Sequence, residues 1–354
     1  MRARPCSTGA VKRDLRGGGL LGCRPDRAVQ VSAALRRWGA TPAAACQASG
    51  AAFPSRPAIL DDHGTFTFAQ LQQRSAALSA VLAERGVGPG ETIAVRAGNH
   101  HWLVETLIAA ARLQANVLLL DPRASDSHLA CIARPQRPLV AVLDRPPAAP
   151  GTGPVLLGAT AGRPCGPADG LEELIAAAGA PPTPLPGESL AQIILSEPEP
   201  DGGWLHPRRP ATLTPPAVRC AIPLRPRQTT MICAPLSSPW GHLHLTLAMR
   251  LTSTLVLSER FDPLDVLAAL QEHTVSALAL TPEMLAAIMS LPASTLSWYR
   301  TPALSVIALR DATVPGELAI PAMRRFGRVL YNRRGPAVIT LHPAPAAGGL
   351  ALAA

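Results

Sequence analysis

The stretch that decides the fold runs from residue 92 to residue 120 and reads TIAVRAGNHHWLVETLIAAARLQANVLLL. Its two ends, 92–95 and 117–120, are continuous apolar runs of strand length. The segment 102–113 between them has the apolar spacing of a helix. Strands that are apolar on both faces and are joined by a helix predict a parallel sheet covered by helices on both sides.

The same alternation continues on both sides of this unit. A short strand is predicted at 58–60, followed by a turn at 61–64, and Thr67 is expected to cap a helix that Gly86 ends. Beyond residue 120, the pattern predicts a helix over 127–133 and a strand over 139–143.

A second series of strands and helices follows residue 190. The predicted strands are 230–233, 254–257, 275–280, 304–308 and 329–331. The predicted helices are 243–250, 263–273, 282–289 and 315–326, and three of them begin at a proline, which suits the first turn of a helix. The sequence therefore predicts an α/β protein with two parallel-sheet subdomains.

Composition shifts along the chain predict five regions. These are an N-terminal extension over 1–50 with one helix at 26–38, a first α/β subdomain over 51–144, a Pro- and Gly-rich linker or excursion over 145–189 with a helical island at 171–178, a second α/β subdomain over 190–335, and a disordered tail over 336–354.

Charge and composition limit the classes of partner. The 354 residues carry 33 Lys and Arg against 24 Asp and Glu, a net charge of +9, and Lys12 is the single lysine. The arginines are scattered without interleaved aromatic residues, which argues against a nucleic-acid groove. The excess charge is expected mainly to solvate the surface, although it suits anionic ligands or anionic membrane surfaces.

Cysteine usage favours a reducing compartment, and hydropathy argues against a membrane-spanning helix. The seven cysteines contain no CxxC pair, which argues against a zinc knuckle or a disulfide framework. No apolar run reaches the ~20 residues that a membrane-spanning helix needs. We expect a cytoplasmic protein without a transmembrane segment, peripheral to a membrane if it contacts one through the helix at 26–38.

Several short segments, taken in their order along the chain, resemble the segments of a known protein family. They are PAILDDHGTFTF at 57–68, RGVGPGE at 85–91, Asn99, Glu105, APL at 234–236, Trp240-Gly241, RFDP at 260–263 and VPG at 314–316. In this order they resemble the AMP-binding, fatty-acid-CoA-ligase type of adenylate-forming enzyme, over about residues 50–335.

The resemblance implies the large N-terminal domain of such an enzyme, with the small C-terminal domain expected to be absent. The family reaction joins ATP and a carboxylate into an acyl adenylate and then forms a thioester with coenzyme A. As an acid–thiol ligase, such an enzyme uses ATP, Mg²⁺ and coenzyme A.

The sequence differs most from the family pattern at the phosphate loop. The resemblance implies a Ser-, Thr- and Gly-rich loop after the strand 193–195, but residues 196–205 read SEPEPDGGWL. Three acids replace donors of hydrogen bonds, and two prolines lack the backbone N–H groups that hold phosphate. An anionic loop repels a triphosphate.

The acyl-pocket motif of the family is better preserved. It falls on APLSSPWG at 234–241, with Ser238 at the position of the family's histidine. The resemblance implies substrate contacts for Trp240, Gly241 and Pro282, whereas a core tryptophan beside a tight glycine turn is the other interpretation of Trp240.

The adenine motif is reduced to Tyr331, Asn332 and Gly335. The resemblance places Arg334 where an aromatic residue stacks on adenine and Val338 where a glutamate binds Mg²⁺. His242 and His244, two residues apart, lack a nearby third ligand in sequence, so polar positions at the start of a helix are expected rather than a metal site.

These departures predict a catalytically inactive relative of the acyl-CoA synthetases, with no catalytic residue, no metal site and no tightly bound cofactor. One open interpretation is a module that binds a fatty acid weakly. The other is a regulatory protein that pairs with an intact synthetase or with a separate C-terminal domain.

Overall fold

A computed structural model describes residues 42–145, 155–159, 169–181, 193–195, 222–310, 314–334, 337–343 and 350–353. The helices in these ranges are α1 (Pro42–Ala52), α2 (Phe68–Glu84), α3 (His101–Leu113), α4 (Asp126–Gln136), α5 (Leu171–Ala177), α6 (Pro239–Arg250), α7 (Pro263–Glu272), α8 (Pro282–Met289), α9 (Ala293–Trp298) and α10 (Gly316–Phe326).

The strands form two sheets. Those of the first sheet are β3 (Thr92–Arg96), β4 (Asn116–Leu120), β5 (Val140–Leu143), β6 (Val155–Gly158), β7 (Asp169–Gly170) and β8 (Ile193–Leu195). Those of the second sheet are β1 (Pro57–Asp61), β2 (Gly64–Thr67), β9 (Thr229–Ile232), β10 (Thr254–Val256), β11 (Ala277–Leu280), β12 (Val306–Leu309), β13 (Leu330–Arg334), β14 (Ala337–Pro343) and β15 (Leu350–Ala353).

Strand order confirms the α/β class. The first sheet has the order β7-β6-β5-β3-β4-β8, and all of its pairs are parallel. The second has the order β15-β14-β13-β12-β11-β9-β10-β1-β2, with antiparallel pairs only at its two ends. The fully buried strands of the βαβ unit, β3 and most of β4, explain the continuous apolar runs in their sequence.

Local signals in the sequence placed several element ends correctly. Thr67 and Gln70 form the reciprocal hydrogen bonds of a capping box at the start of α2. Gly86, just beyond the end of α2, has a φ of 84°, which an L-residue rarely adopts.

The two sheets exchange strands, which the sequence pattern did not predict. β1 lies in the predicted first subdomain, yet it pairs in parallel with β10 of the second sheet. Conversely, β8 lies in the predicted second subdomain but pairs with β4 of the first. The five predicted ranges therefore do not coincide with the sheets, because strand pairing joins segments that are far apart along the chain.

Strands also form in two ranges where the sequence predicted none. The predicted linker 145–189 contributes β6 and β7, which extend the first sheet beside β5. The predicted disordered tail contributes β14 and β15, and the β-branched residues of the sequence AVITLH favour a strand beside β13. The helix predicted at 26–38 lies outside the described residues.

The two sheets share one apolar core. It brings together Val95 and Leu119 of the first sheet with Ile232 and Leu255 of the second, packed around buried side chains of α2, α3 and α6. Burial of this shared apolar surface holds the two sheets together.

A polar network crosses the same interface. Asp61, at the end of β1, accepts a hydrogen bond from the backbone N–H of His101 at 2.8 Å and lies 2.7 Å from its Nδ1 atom. Burial alone would lower the pKa of His101, but its contacts with Asp61 and Glu172 raise it. His100 contacts Asp144 at 2.7 Å, so both members of the His100-His101 pair have partners that the sequence did not suggest.

Helix α6 begins at Pro239, four residues before the predicted start, because Ser238 caps it and Pro239 occupies its first turn. His242 and His244 consequently lie within the helix, where both are buried. Burial lowers the pKa of His242 to about 4, so this side chain is neutral in the folded protein at neutral pH.

We predict that His242 makes the protein sensitive to acid. A histidine in the unfolded chain has a pKa near 6.5, so the unfolded state takes up a proton at a pH where folded His242, with its pKa of about 4, does not. The free energy of unfolding should therefore fall as the pH drops below about 6.5, by about 2 kcal/mol between pH 7 and pH 5 from this group. Urea unfolding at both pH values measures the loss.

The variant His242→Leu should lose this part of the pH dependence. His273→Leu is the matched control, because His273 is half-exposed at the end of α7 and its replacement leaves His242 in place. An unchanged pH dependence in His242→Leu would contradict the prediction.

Candidate functional site: a cleft at the carboxyl ends of the strands

A cleft of about 580 Å³ opens where the carboxyl ends of strands from both sheets meet. Its lining follows the ends of β3, β4, β9, β10, β11 and β12. Ligands of parallel α/β sheets bind at this edge, because the loops after the strands converge there. The volume lies within the range of about 300–1,000 Å³ that is typical of small-molecule pockets.

Asn99 joins the two sheets at the cleft. It follows β3, and its Nδ2 atom donates hydrogen bonds to the carbonyl oxygens of Ile232 at 3.1 Å and Ala234 at 3.0 Å. Its Oδ1 atom accepts a hydrogen bond from the backbone N–H of Leu236 at 2.9 Å. One buried side chain thus satisfies three backbone groups of the loop that follows β9.

The same loop is shaped by Gly241. This glycine lies in α6, not in the tight turn that the sequence suggested, and its helix runs very close to the loop. A Cβ atom added there would overlap the carbonyl oxygen of Pro235 and lie 2.8 Å from that of Ala234. Glycine is therefore required by the close approach of two backbones.

Trp240 lies at the boundary between the core and the cleft. Its side chain is 1% exposed and packs in a core cluster with Ala277, Val306 and Ala308, yet it also forms part of the cleft wall. Its indole edge contacts the ring of His244 at a centroid distance of 4.2 Å.

The other predicted contact residues are dispersed. Pro282 is half-buried in the first turn of α8, between Thr281 and Glu283, which line the cleft. Tyr331 is half-buried against the core cluster of Trp240, and Asn332 is buried on β13. Gly335 lies outside the described residues, as does the predicted phosphate loop at 196–205, although the strand that leads into that loop is present as β8.

The charged groups of the cleft wall are mostly paired. Arg123 binds Asp121 through two contacts of 3.0 Å, and this carboxylate raises the pKa of Arg123. Glu259 lies 2.6 Å from Nε2 of His63. With Glu283 and Arg310, the wall carries three acids and two arginines.

Cys233 is the one cysteine among the cleft-lining residues that the structure describes. Burial raises the pKa of its thiol to about 12, so the thiol remains protonated at neutral pH and is a poor nucleophile. In the described parts of the chain, no group of three or more His, Cys, Asp or Glu is arranged to hold a metal ion. Within the same parts, no helix has the length and apolarity to cross a bilayer.

Sequence reasoning recognised Asn99 only as part of the resemblance and missed its structural role. A polar residue directly after an apolar strand is the signal that could have found it, since such positions lie at the carboxyl edge of a parallel sheet. Cys233 and Arg310 directly follow β9 and β12, so the same rule places them at this edge, whereas their share in one wall depends on how the two sheets pack.

This arrangement, two largely parallel sheets with a cleft at their joined carboxyl edges, has the fold of the N-terminal domains of adenylate-forming ligases. Residues 46–196 match the family model described as AMP-binding enzyme. The match confirms the resemblance predicted from the sequence.

Curated relatives match over short segments. The AMB antimetabolite synthetase AmbE of Pseudomonas aeruginosa is 36% identical over 69 residues, which are 20% of this chain and 3% of that protein. The 3-oxocholest-4-en-26-oate–CoA ligase of Rhodococcus rhodochrous is 32% identical over 76 residues, which are 22% of this chain and 14% of that ligase. The matches therefore span only a small part of these relatives.

Solved structures match over most of this chain. A benzoate CoA ligase from Burkholderia xenovorans LB400 superposes with a TM-score of 0.70 at 17% identity, covering 83% of this chain and 60% of the ligase. The N-terminal domain of FACL13 from Mycobacterium tuberculosis superposes with a TM-score of 0.67 at 15% identity, covering 82% of this chain and 75% of that domain. Both likenesses establish the fold.

We predict that Gly241→Ala destabilises the protein, although alanine in place of glycine within a helix normally stabilises by about 1 kcal/mol. The added methyl group must displace the backbone of the loop at 234–235, which should lower the free energy of unfolding by about 1–3 kcal/mol net. Chemical denaturation measures the change.

Gly50→Ala in α1 is the matched control. The nearest atom to its added methyl group belongs to the flexible side chain of Gln72, which can move away. Gly241→Ala should therefore be clearly less stable than Gly50→Ala, and equal stabilities would show that the loop after β9 tolerates displacement.

Proposed function

We propose that this protein is a non-catalytic relative of the acyl-CoA synthetases, whose cleft binds a small acyl or aryl carboxylic acid without converting it to an adenylate. The observation that carries the proposal is the charge around the cleft. Its wall bears three acids against two arginines, and the segment that follows β8 contains three more acids.

Electrostatics disfavour a triphosphate at this edge. Arg123 is already bound by Asp121, so it is not available as an uncompensated cation. Glu197, Glu199 and Asp201 follow β8, whose neighbour β4 leads into the cleft wall at Asp121. Adenylation needs donors and cations that stabilise the charge developing on the departing pyrophosphate. Acidic side chains in place of these donors and cations repel the charge that develops on the pyrophosphate.

The residues present do not fit magnesium-bound ATP, and we derive no chemical step through it. The groups missing from the family motifs would all stabilise the same transition state, that of adenylation. Removing a single preorganised donor typically costs about 3 kcal/mol of transition-state stabilisation. A metal-binding carboxylate and an amide-rich loop are both replaced in the motifs of this sequence, so little rate enhancement is expected.

The cleft nevertheless retains features of a ligand site. Apolar surface from Trp240, Phe261 and Met284 faces it together with the small polar residues Ser237 and Thr281. The Asn99 contacts hold the wall loop in one arrangement, and such preorganisation reduces the entropy lost on binding. A ligand with an apolar body and a polar head would match this lining.

We predict no pyrophosphate release from ATP when the purified chain is supplied with acyl or aryl carboxylic acids. An intact acyl-CoA ligase, assayed in parallel, is the positive control. Acid-dependent pyrophosphate release above the no-enzyme rate would overturn the non-catalytic assignment.

The same acids should raise the melting temperature of the protein. Met284→Trp, which places a larger side chain in the cleft, should abolish the shift. Met289→Trp, on the same helix but away from the cleft wall, should retain it. If no acid shifts the melting temperature, ligand binding is refuted, and co-purification with an intact synthetase would favour a regulatory role.

A further inference from the structure

The edge of the second sheet opposite the cleft has an unusual charge. The strands β1, β10, β9, β11, β12 and β13 are parallel, so their amino ends share one edge. We define the amino edge as the six residues before each of these strands, which are 51–56, 223–228, 248–253, 271–276, 300–305 and 324–329.

Arginine is concentrated along the amino edge. The eight arginines are Arg56, Arg225, Arg227, Arg250, Arg300, Arg324, Arg325 and Arg328. Glu272 is the one acid within the six segments, so their net charge is 8 − 1 = +7, whereas the whole chain carries +9. Six short segments at one edge of one sheet thus carry a net charge of +7, because strand pairing gathers arginines that are scattered along the sequence.

Interactions within the protein explain the positions of only some of these arginines. Arg325 donates hydrogen bonds to the carbonyl oxygens of Leu296 and Tyr299 at the end of α9. Arg250 and Arg324 lie in the last turns of α6 and α10, where cations interact favourably with the helix dipole.

Two arginines of the amino edge, Arg56 and Arg227, lie close together, and other arginines of this edge are exposed. Arg225, Arg227, Arg300 and Arg328 are exposed. Arg56 donates a hydrogen bond to the carbonyl oxygen of Arg227, and both burial and the charge of Arg227 lower the pKa of Arg56. The repulsion between these like charges opposes folding, and an anion bound from solution would reduce that repulsion.

An exposed aromatic residue lies at the same edge. Trp298 ends α9, and its side chain is 82% exposed. It borders a shallow groove of about 430 Å³ with Leu270, Pro302 and Arg300. Tryptophan beside arginine is typical of surfaces at the membrane–water interface, because the indole ring has an apolar body and a polar N–H group.

We propose that the amino edge is a docking surface for a bilayer containing anionic phospholipids, with the exposed arginines on the headgroups and Trp298 at the headgroup boundary. Six strands at a spacing of about 4.8 Å make this edge roughly 24 Å long, which suits an extended surface better than a single small anion. A single-stranded nucleic acid fits less well, because among the described residues Trp298 is the one large aromatic side chain that is exposed, whereas successive bases stack on several rings.

The cleft remains accessible in this arrangement. It lies at the carboxyl ends of the strands, and the membrane surface lies at their amino ends. The proposal is independent of the proposed function, because it uses none of the residues that line the cleft.

Vesicle co-sedimentation of the full chain tests the proposal. The protein should bind phosphatidylcholine vesicles that contain phosphatidylserine, fail to bind pure phosphatidylcholine, and be released by high salt. The double variant Arg300→Glu with Arg328→Glu should raise the half-saturating lipid concentration at least about ten-fold. The matched control, Arg145→Glu with Arg260→Glu, changes the net charge equally at exposed positions outside the amino edge and should bind like the unaltered chain.

Trp298→Ser should also weaken binding, and Trp298→Phe should restore most of it. Circular dichroism confirms that each variant is folded. Equal loss in the two charge variants, or equal binding to both kinds of vesicle, would overturn the proposal. Retention on duplex DNA without vesicle binding would overturn the choice of a lipid partner.

Discussion

The three hydrogen bonds of Asn99 fix the relation between the two sheets at the point where a ligand would bind. They connect the end of β3 to the loop after β9, and that loop forms one wall of the cleft. Because the strands around the cleft are parallel within their sheets, all of their following loops meet at this place. The required glycine at position 241 then sets how closely α6 approaches the loop.

Strand direction also separates the charges of the second sheet. Its amino edge has eight arginines and one acid, whereas the described residues that follow its strands at the carboxyl edge include four acids, Asp62, Glu259, Asp262 and Glu283, and two arginines, Arg260 and Arg310. Helix dipoles favour this polarity, since acids at helix starts and cations at helix ends are both stabilising. The proposed exclusion of polyphosphate from the cleft and the proposed docking of anionic surfaces at the opposite edge both rest on this polarity.

The sequence predicted most of the helices and strands well, but it did not predict which strands pair with each other. Apolar runs such as 92–95 and 117–120 identify buried parallel strands from their composition alone, and the Thr67 capping box marks a helix start locally. The pairing of β1 with β10 and of β8 with β4 joins segments far apart in the chain, so no local pattern reports it. Trp240 was recognised as a candidate, but the roles of Asn99 and Cys233 in the cleft depend on that long-range packing.

We propose that this fold, which resembles that of adenylate-forming ligases, does not hold a polyphosphate in this protein. Titration calorimetry of the purified chain with ATP, in the presence and absence of Mg²⁺, tests it most directly. The account predicts no saturable heat of binding under either condition. Tight ATP binding that depends on Mg²⁺ would contradict it.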